Sequence, residues 1–406
     1  MSLNGTFSGL RVVDFCWVGA GALVTKLLAE HGADVIKVES RERPDNLRVS
    51  PPFRPGREGL DGSGYFASRN NDKRSFALNM RNPKSRGIAL RLVAGADVVT
   101  NNFRPGVMER WGLGYDEVRE LNPSVVYLAM PMQGSSGPHR DYIGFGQTIA
   151  ALGGLVELSG LPDRAPVGTG TQYPDHVPSP GHALVALLAA IRQRRATGRG
   201  RLIELSQFES TVNLVGPALL AASLGASITR TGNRVPGHSP SAVFRCTGED
   251  NWCAVVARDD AEWRSLARTV GLDALGADPR FATLEQRKAH EDELEGLLAA
   301  AIGDRERWEL TRALQAEGVP AWPVMSSPDL LADEHLRARG FWRTLNHPAI
   351  GEMTAPSAPF RIVGEGPTGP VEAAPLLGAH TREVASSVLG LDDAQIDELV
   401  AEKALW

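Results

Sequence analysis

An open α/β sheet of parallel strands with helices on both faces, joined to a smaller α+β domain, is the fold class this 406-residue sequence predicts. Three observations carry it. Short β-branched runs alternate with helical stretches over the first half of the chain. Those runs are apolar without alternation, as in strands buried on both faces. Near residue 229 a Gly/Pro-rich break ends the pattern, and a hairpin followed by Arg- and Glu-rich helices takes over.

The elements follow in order. Residues 9–39 read as strand "LRVVDF", turn and helix "VGAGALVTKLLAEHG", then strand "ADVIKVE". "NNDKRSFALNM" places a short strand after Lys73 and Arg74. Helix "RGIALRLVAGA" feeds strand "DVVTN", and helix "YDEVRELNP" leads to strand "SVVYLAM". "TGRGRLIELS" is a glycine turn and a further strand, followed by a small-residue helix around 208–224. "AVFRCTGEDNWCAVVAR" predicts a hairpin turning at Gly248–Asn251, and two helices, about 380–389 and 393–403, close the chain. The expected division is a large domain over 1–205, a linker over 206–229 and a small domain over 230–330. A Pro-rich linker over 331–375 and C-terminal helices over 376–406 complete it.

Composition narrows the function. Hydrophobic residues make up 42% and charged residues 22%, with a net charge of −5, so the basic face that nucleic acid requires is missing. No run approaches a membrane span and no basic-then-apolar leader opens the chain. Three cysteines (Cys16, Cys246 and Cys253) lack metal or disulfide spacing, which predicts a reducing, cytoplasmic setting.

Several motifs bear on chemistry. Gly19 and Gly21 follow the first strand, and Glu39 ends the second roughly 20 residues later, as in a dinucleotide site. The third glycine position holds Val24, so a plain strand-to-helix turn fits equally. "GSSG" at 134–137 is no nucleophile elbow. His176 and His182 straddle a helix start with no acid to complete a metal set, so no metal is expected. The Arg-rich 192–201 stretch suits a solvated helix end. Ligands of an open parallel sheet sit at the carboxyl ends of its strands. There the Gly19 turn and Asn102, Phe103, Arg104 and Arg110 can offer amides, an aromatic face and cations to a phosphorylated nucleotide; Lys73 and Arg74 form a second basic piece.

"TGTQYPDHVPSPGHALVALLAAI" sets one acid, Asp175, in a loop stiffened by Pro174 and Pro178. Ser179 before Pro180 is the expected helix cap. Asp175 lies a turn too early for that role, and an Asx-turn or a chemical role both stay open.

Taken together, "ADVIKVE", "NNDKRSFALNM", "ADVVTNNFRPGVMERWGLGYDEV", "GLPDRAPVGTGTQYPDH", "ATGRGRLIELSQFES", "DPRFATLEQRKAHEDEL", "GVPAWPVMSSPDLLADEHLRARGFW" and "PLLGAHTREVASSVLGL" resemble the class III coenzyme A transferases of the CaiB/BaiF type. The resemblance runs along nearly the whole chain. It implies a Rossmann-like large domain built from both chain ends, a small domain between, and an interlocked homodimer. It implies that Asp175 is a nucleophile and that Val18, Ala20, Lys73, Asn102, Phe103 and Arg110 lie along the coenzyme A site. An acyl-CoA thioester and a carboxylic acid are then the substrates, with no permanently bound cofactor.

Aspartate suits such chemistry because it is ionised at neutral pH and needs no general base. Backbone N–H groups near Gly168, Gly170 and the 232–237 loop are candidates for oxyanion stabilisation. Gly19 stands where formyl-CoA transferases carry glutamine, Gly146 where they carry an acid, and "GNRVPGHSP" where the oxalate enzymes have glycines alone. These departures point away from formate and oxalate towards a larger acid. Related racemases carry Gly-His-Asp where this chain has Gly144-Phe145-Gly146. Besides the transferase, three alternatives remain: a racemase or epimerase, an NAD(P)-dependent oxidoreductase, and a noncatalytic CoA binder.

Overall fold

The short runs of the N-terminal half become six parallel strands: β1 (Arg11–Asp14), β2 (Asp34–Glu39), β3 (Arg74–Ala77), β4 (Val98–Asn101), β5 (Val126–Ala129) and β6 (Arg201–Glu204). The computed structural model describes residues 5–364, 366 and 368–406. The strand order is β3-β2-β1-β4-β5-β6, with Val12 opposite Val35 on one side and Val98 on the other. Successive side chains point to opposite faces, and both faces of the central strands β1, β2, β4 and β5 are covered, so these carry apolar residues on both sides, whereas the edge strand β6 is largely exposed. Val13, Ile36, Phe76 and Val99 enter one core; Val12, Val35, Val98 and Val126 enter the other.

The second of these cores is roofed by α1 (Ala20–Ala29) and by the long helix Pro178–Thr197, through Val24, Leu28, Leu187 and Ile191. The first is roofed by helix Ser85–Ala94 and by the two C-terminal helices, Thr381–Ser387 and Asp393–Ala401. Val384, Leu389 and Ile396 of the chain's end thereby pack with Ile88 and Leu92 from its beginning. A mixed α/β fold with a six-stranded parallel sheet, supplied with helices from both chain ends, is the result.

The chain divides into two compact units: Met1–Val156, Gly168–Ser227 and His335–Trp406 in one, Glu157–Val167 and Ile228–Glu334 in the other. In the second unit β7 (Ser241–Arg245) and β8 (Trp252–Val256) form the expected hairpin, with Ser241 opposite Val256. A third strand, β9 (Ala321–Pro323), adds to β8; "GVPAWPVM" gave no periodic sign of it. Trp263, Phe281, Leu298 and Leu314 fill the core of this unit. Its buried Arg287 donates to Asp260 and to the carbonyls of Ser239 and Phe281.

Both segments read as linkers carry regular structure. The 206–229 stretch holds helices Gln207–Val212 and Gly216–Ser223. The 331–375 stretch contains the antiparallel pair β10 (Trp342–His347) and β11 (Gly351–Pro356). The flanking prolines masked a pairing that depends on a partner strand rather than on local propensity. Among the described residues no helix is long and apolar enough to cross a membrane, and no group of three or more His, Cys, Asp or Glu is placed to hold a metal ion.

Candidate active site

Strand order reverses between β1 and β4, and loops leaving the carboxyl ends of such a pair diverge around a crevice. A cavity of about 830 Å³ opens there, with Asp175 in its wall. Its floor is the turn after β1. Asp14 accepts from Cys16 N (2.9 Å), Thr100 Oγ1 (3.0 Å), Thr25 Oγ1 (2.6 Å) and Lys73 Nζ (3.1 Å). Asn102 clasps Trp17 by both backbone groups, and Asp45, paired with the buried Lys37, accepts from Val18 N. Val18 is thereby held at φ +60°, a left-handed conformation that a β-branched residue adopts only under constraint.

Asp175 does not sit in a loop. It belongs to a single helical turn, Tyr173–His176, and the long helix begins at Pro178 immediately afterwards. Ser179 is no cap either: its hydroxyl pairs with that of Ser210 at 2.9 Å in a buried contact. The reason is local. Pro178 and Pro180 lack N–H groups, so two of the donors a cap would satisfy do not exist.

Asp175 is 6% exposed, and among the described residues no donor reaches its carboxylate. Burial pushes its pKa up to about 6. Two glycines make room for it. A methyl group on Gly146 would lie 2.8 Å from Asp175 Oδ2, and one on Gly19 would lie 3.0 Å from Asp175 Cβ. The two glycines singled out in the sequence are thus the surfaces against which this carboxylate rests. Beside it, His176 Nε2 and the Tyr65 hydroxyl are 3.1 Å apart. Burial, reinforced by the charge of Arg69, lowers the His176 pKa to about 4, so the ring is neutral.

The rest of the cavity is aromatic and cationic. Phe103 meets Trp17 and Trp111 edge-to-face at 5.4 and 5.5 Å, and Arg43 lies 5.6 Å over Trp17. Arg81, Arg104 and Arg110 also line it, with Glu42 3.7 Å from Arg81. Cations in excess beside flat aromatic faces form a surface suited to a phosphorylated nucleotide.

Of the residues expected at the site, Val18, Gly19, Ala20, Asn102, Phe103, Arg104, Arg110 and Asp175 line this one cavity. Lys73 and Arg74 do not. Lys73 Nζ is buried under the turn, bound to Asp14, Asn70 and the Ala22 carbonyl. Arg74 pairs with Asp34 and Glu383. Glu39 borders the cavity, but its carboxylate is held by Arg48 and Ser75 rather than presented to a ribose. Gly168 and Gly170 are exposed and lie outside the lining, and the Gly232 amide donates to Gly160. Sequence reasoning passed over Arg43 and Arg81. They follow the carboxyl ends of β2 and β3, so the rule that selected Arg104 after β4 would have found them.

Fold and site suit a protein that handles a phosphorylated nucleotide at the carboxyl ends of its strands, and comparison with known proteins narrows this. The sequence profile of CoA-transferase family III matches residues 7–381. The chain is 32% identical to a succinyl-CoA–D-citramalate CoA-transferase of Chloroflexus aurantiacus, covering 98% of this chain and 97% of that protein. It is 30% identical to a formyl-CoA:oxalate CoA-transferase of Streptomyces avermitilis, over 97% and 98%. The crystal structure of a CaiB/BaiF family protein from Brucella suis superposes with a TM-score of 0.87 at 29% identity, covering 95% of this chain and all of that one. The protein belongs to CoA-transferase family III and is an enzyme that transfers coenzyme A.

Proposed function

We propose that the enzyme moves coenzyme A between an acyl-CoA thioester and a free carboxylic acid, with Asp175 as the nucleophile. The observation that carries this is the unpartnered carboxylate of Asp175 in the wall of a cationic, aromatic cavity, with no side chain on Gly19 or Gly146 to cover it. At pH 7 a group of pKa about 6 is mostly ionised. Its oxygen attacks the thioester carbonyl, the C–S bond breaks, and a mixed anhydride and the coenzyme A thiolate result. The thiolate attacks the aspartyl carbonyl, releases the first acid and leaves an aspartyl thioester. The second acid's carboxylate then attacks that carbonyl and expels the thiolate. Attack of the thiolate on the new acyl carbonyl gives the new acyl-CoA and free Asp175. Each step exchanges one acyl bond for another, so no oxidant or metal enters.

Coenzyme A is held, in this reading, by the backbone of Val18, Gly19 and Ala20, by Asn102 and Phe103, and by Arg104 and Arg110 with Arg43 and Arg81. Lys73 acts from below, by fixing Asp14 and so the turn; Arg74 anchors the sheet edge. The acid is larger than formate, in keeping with Gly19 and Gly146 as departures from the formyl-CoA transferases that the sequence resembles. Racemisation lacks support, because Gly144, Phe145 and Gly146 bring no base to the cavity. We further propose a homodimer in the cytoplasm. Leu219, Leu220 and Leu224 are exposed together at and just beyond helix Gly216–Ser223, and Val185 stands exposed on the long helix. Three free thiols suit a reducing compartment.

The test is chemical. Incubation with an acyl-CoA followed by hydroxylamine should convert Asp175 to its hydroxamate, seen as a mass shift in the peptide containing "QYPDHVP". Labelling at another carboxylate, or none, defeats the proposal.

A further inference from the structure

The cationic and the apolar parts of the cavity come from different strands. Arg43 and Arg81 follow β2 and β3, and Arg104 and Arg110 follow β4. After β5 the lining changes character. Met132, Tyr142, Ile143, Phe145 and Ile149 carry it, and among the described residues no charged side chain of that stretch joins them. Arg140 and Asp141 pair with each other at 3.4 Å and stay outside the lining. The polar side chains on this side are already engaged. Thr148 Oγ1 accepts from Phe145 N and donates to Phe145 O, both at 2.8 Å, and Gln207 Nε2 donates to the Met130 carbonyl at 2.8 Å.

Three of the apolar side chains stand open. Tyr142 is 60%, Ile143 75% and Phe145 63% exposed, all on the border of this one cavity. Single exposed apolar side chains are ordinary, but a cluster of them at a concave site marks a surface that something covers. The segment is also fixed beside Asp175. A methyl group on Gly144 would lie 2.8 Å from Met132 Sδ, and one on Gly146 would lie 2.8 Å from Asp175 Oδ2. Phe145, between these two glycines, therefore joins the lining next to the carboxylate, where an acyl group bonded to Asp175 begins.

We propose that Phe145, with Ile143 and Tyr142, receives the hydrocarbon part of the exchanged acid, so that the enzyme selects monocarboxylic acids with an apolar chain over acids bearing a second charge. A second carboxylate on this wall would lose water without gaining a cation. Methylene groups there would instead cover apolar surface that now faces solvent. The inference rests on Asp175 as the nucleophile, and the experiment separates the two.

The test uses hexanoate, adipate and acetate. The first two have equal chains and differ only at the far end; the third has no chain. Exchange of each isotopically labelled acid into its own CoA thioester is followed by mass spectrometry on the full-length enzyme. The wild type should favour hexanoate over both others by roughly 10–100-fold in kcat/KM. Phe145→Ala should cut the advantage of hexanoate over acetate roughly five- to tenfold, and Phe145→Leu should keep most of it. Ile143→Arg should narrow the gap between hexanoate and adipate by roughly tenfold. A wild type that prefers adipate, or treats the three acids alike, overturns the proposal. An equal loss on hexanoate and acetate in Phe145→Ala does so too, as does a shift of that variant to a smaller species in sedimentation, since Phe145 is then a packing or subunit contact. Should Phe145→Ala fail to fold, the same ratio is read on Ile143→Ala, at the more exposed position. Hydroxylamine capture from hexanoyl-CoA is read alongside. Capture at Asp175 with no preference among the acids defeats the apolar wall alone; capture elsewhere, or none, defeats the nucleophile and this inference with it.

Discussion

Two buried aspartates sit above and below the same turn, and they have opposite characters. Asp14, below, is fully buried; burial alone would push its carboxyl up, but Lys73 and Lys37, with Thr25 and the Cys16 amide, hold it below the usual range. Asp175, above, is nearly as buried, receives no donor among the described residues, and rises to about 6. The same side chain is held as an anion where donors surround it and is disfavoured as an anion where they are withheld. Withholding donors keeps the lone pairs free for an acyl carbon and leaves the carboxylate less stable as an ion. The turn beneath the cavity is thus built with full satisfaction and the cavity wall at Asp175 without it.

The sharpest way to break this contrast is substitution by asparagine at each position. Asp175→Asn should fold, bind coenzyme A and lose transfer by about 10⁴-fold or more in kcat, since the amide is a poor nucleophile towards a thioester. Exchange assays with the purified variant decide it, and a fully active Asn variant would return Asp175 to a packing role. Asp14→Asn should act on stability instead. Leaving Lys73 uncompensated in the interior should cost about 3–5 kcal/mol, measured by denaturant titration.

A subtler sign distinguishes the pair. Asp175 binds its proton more tightly in the folded state than in the unfolded chain, so its ionisation opposes folding. That penalty is absent below about pH 4, develops between about pH 4 and 6, and is complete above. Asp175→Asn should therefore stabilise the protein at pH 8, by at most about 3 kcal/mol, with the gain vanishing near pH 4. Thermal melts across that range measure it. Asp14→Asn should destabilise at neutral pH, and this loss should shrink only on strong acidification. The same pKa governs rate: acyl transfer to Asp175 should rise about tenfold per pH unit below 6 and level off above. A profile flat from pH 5 to 8 would mean that the carboxylate acquires donors when coenzyme A binds. The smallest effect belongs to the rim. Arg104→Ala or Arg110→Ala should raise the KM for acyl-CoA by roughly 3–10-fold with kcat nearly unchanged, as expected for single exposed phosphate contacts.

Much of this was legible in the sequence because it is local. Buried parallel strands announced themselves as runs such as "LRVVDF" and "DVVTN", the hairpin by its turn at Gly248–Asn251, and the last helices by their periodicity. Asp175 was conspicuous as an acid surplus to capping among prolines. What local pattern implied about its helix was wrong in detail: the cap at Ser179 and the loop around Asp175 both gave way to a helical turn running into a second helix.

Tertiary structure alone decided the rest, since it depends on which distant groups meet. Lys73 and Arg74 look like Arg104 and Arg110 in sequence, all cations beside short strands. Lys73 precedes β3 and Arg74 is its first residue, and they pair with Asp14 and Asp34, while the two latter follow β4 and open into the cavity. Glu39 could equally have faced a ribose until Arg48 closed on it. No pattern in the chain marks Gly19 and Gly146 as the two walls of one carboxylate. A sequence carries propensity and polarity, which act over a few residues; desolvation and partnership arise only when separate segments exclude water together. That is why this chain by itself determined a parallel α/β sheet and a conspicuous aspartate, and only the assembled fold decided that the aspartate would be buried with no donor among the described residues.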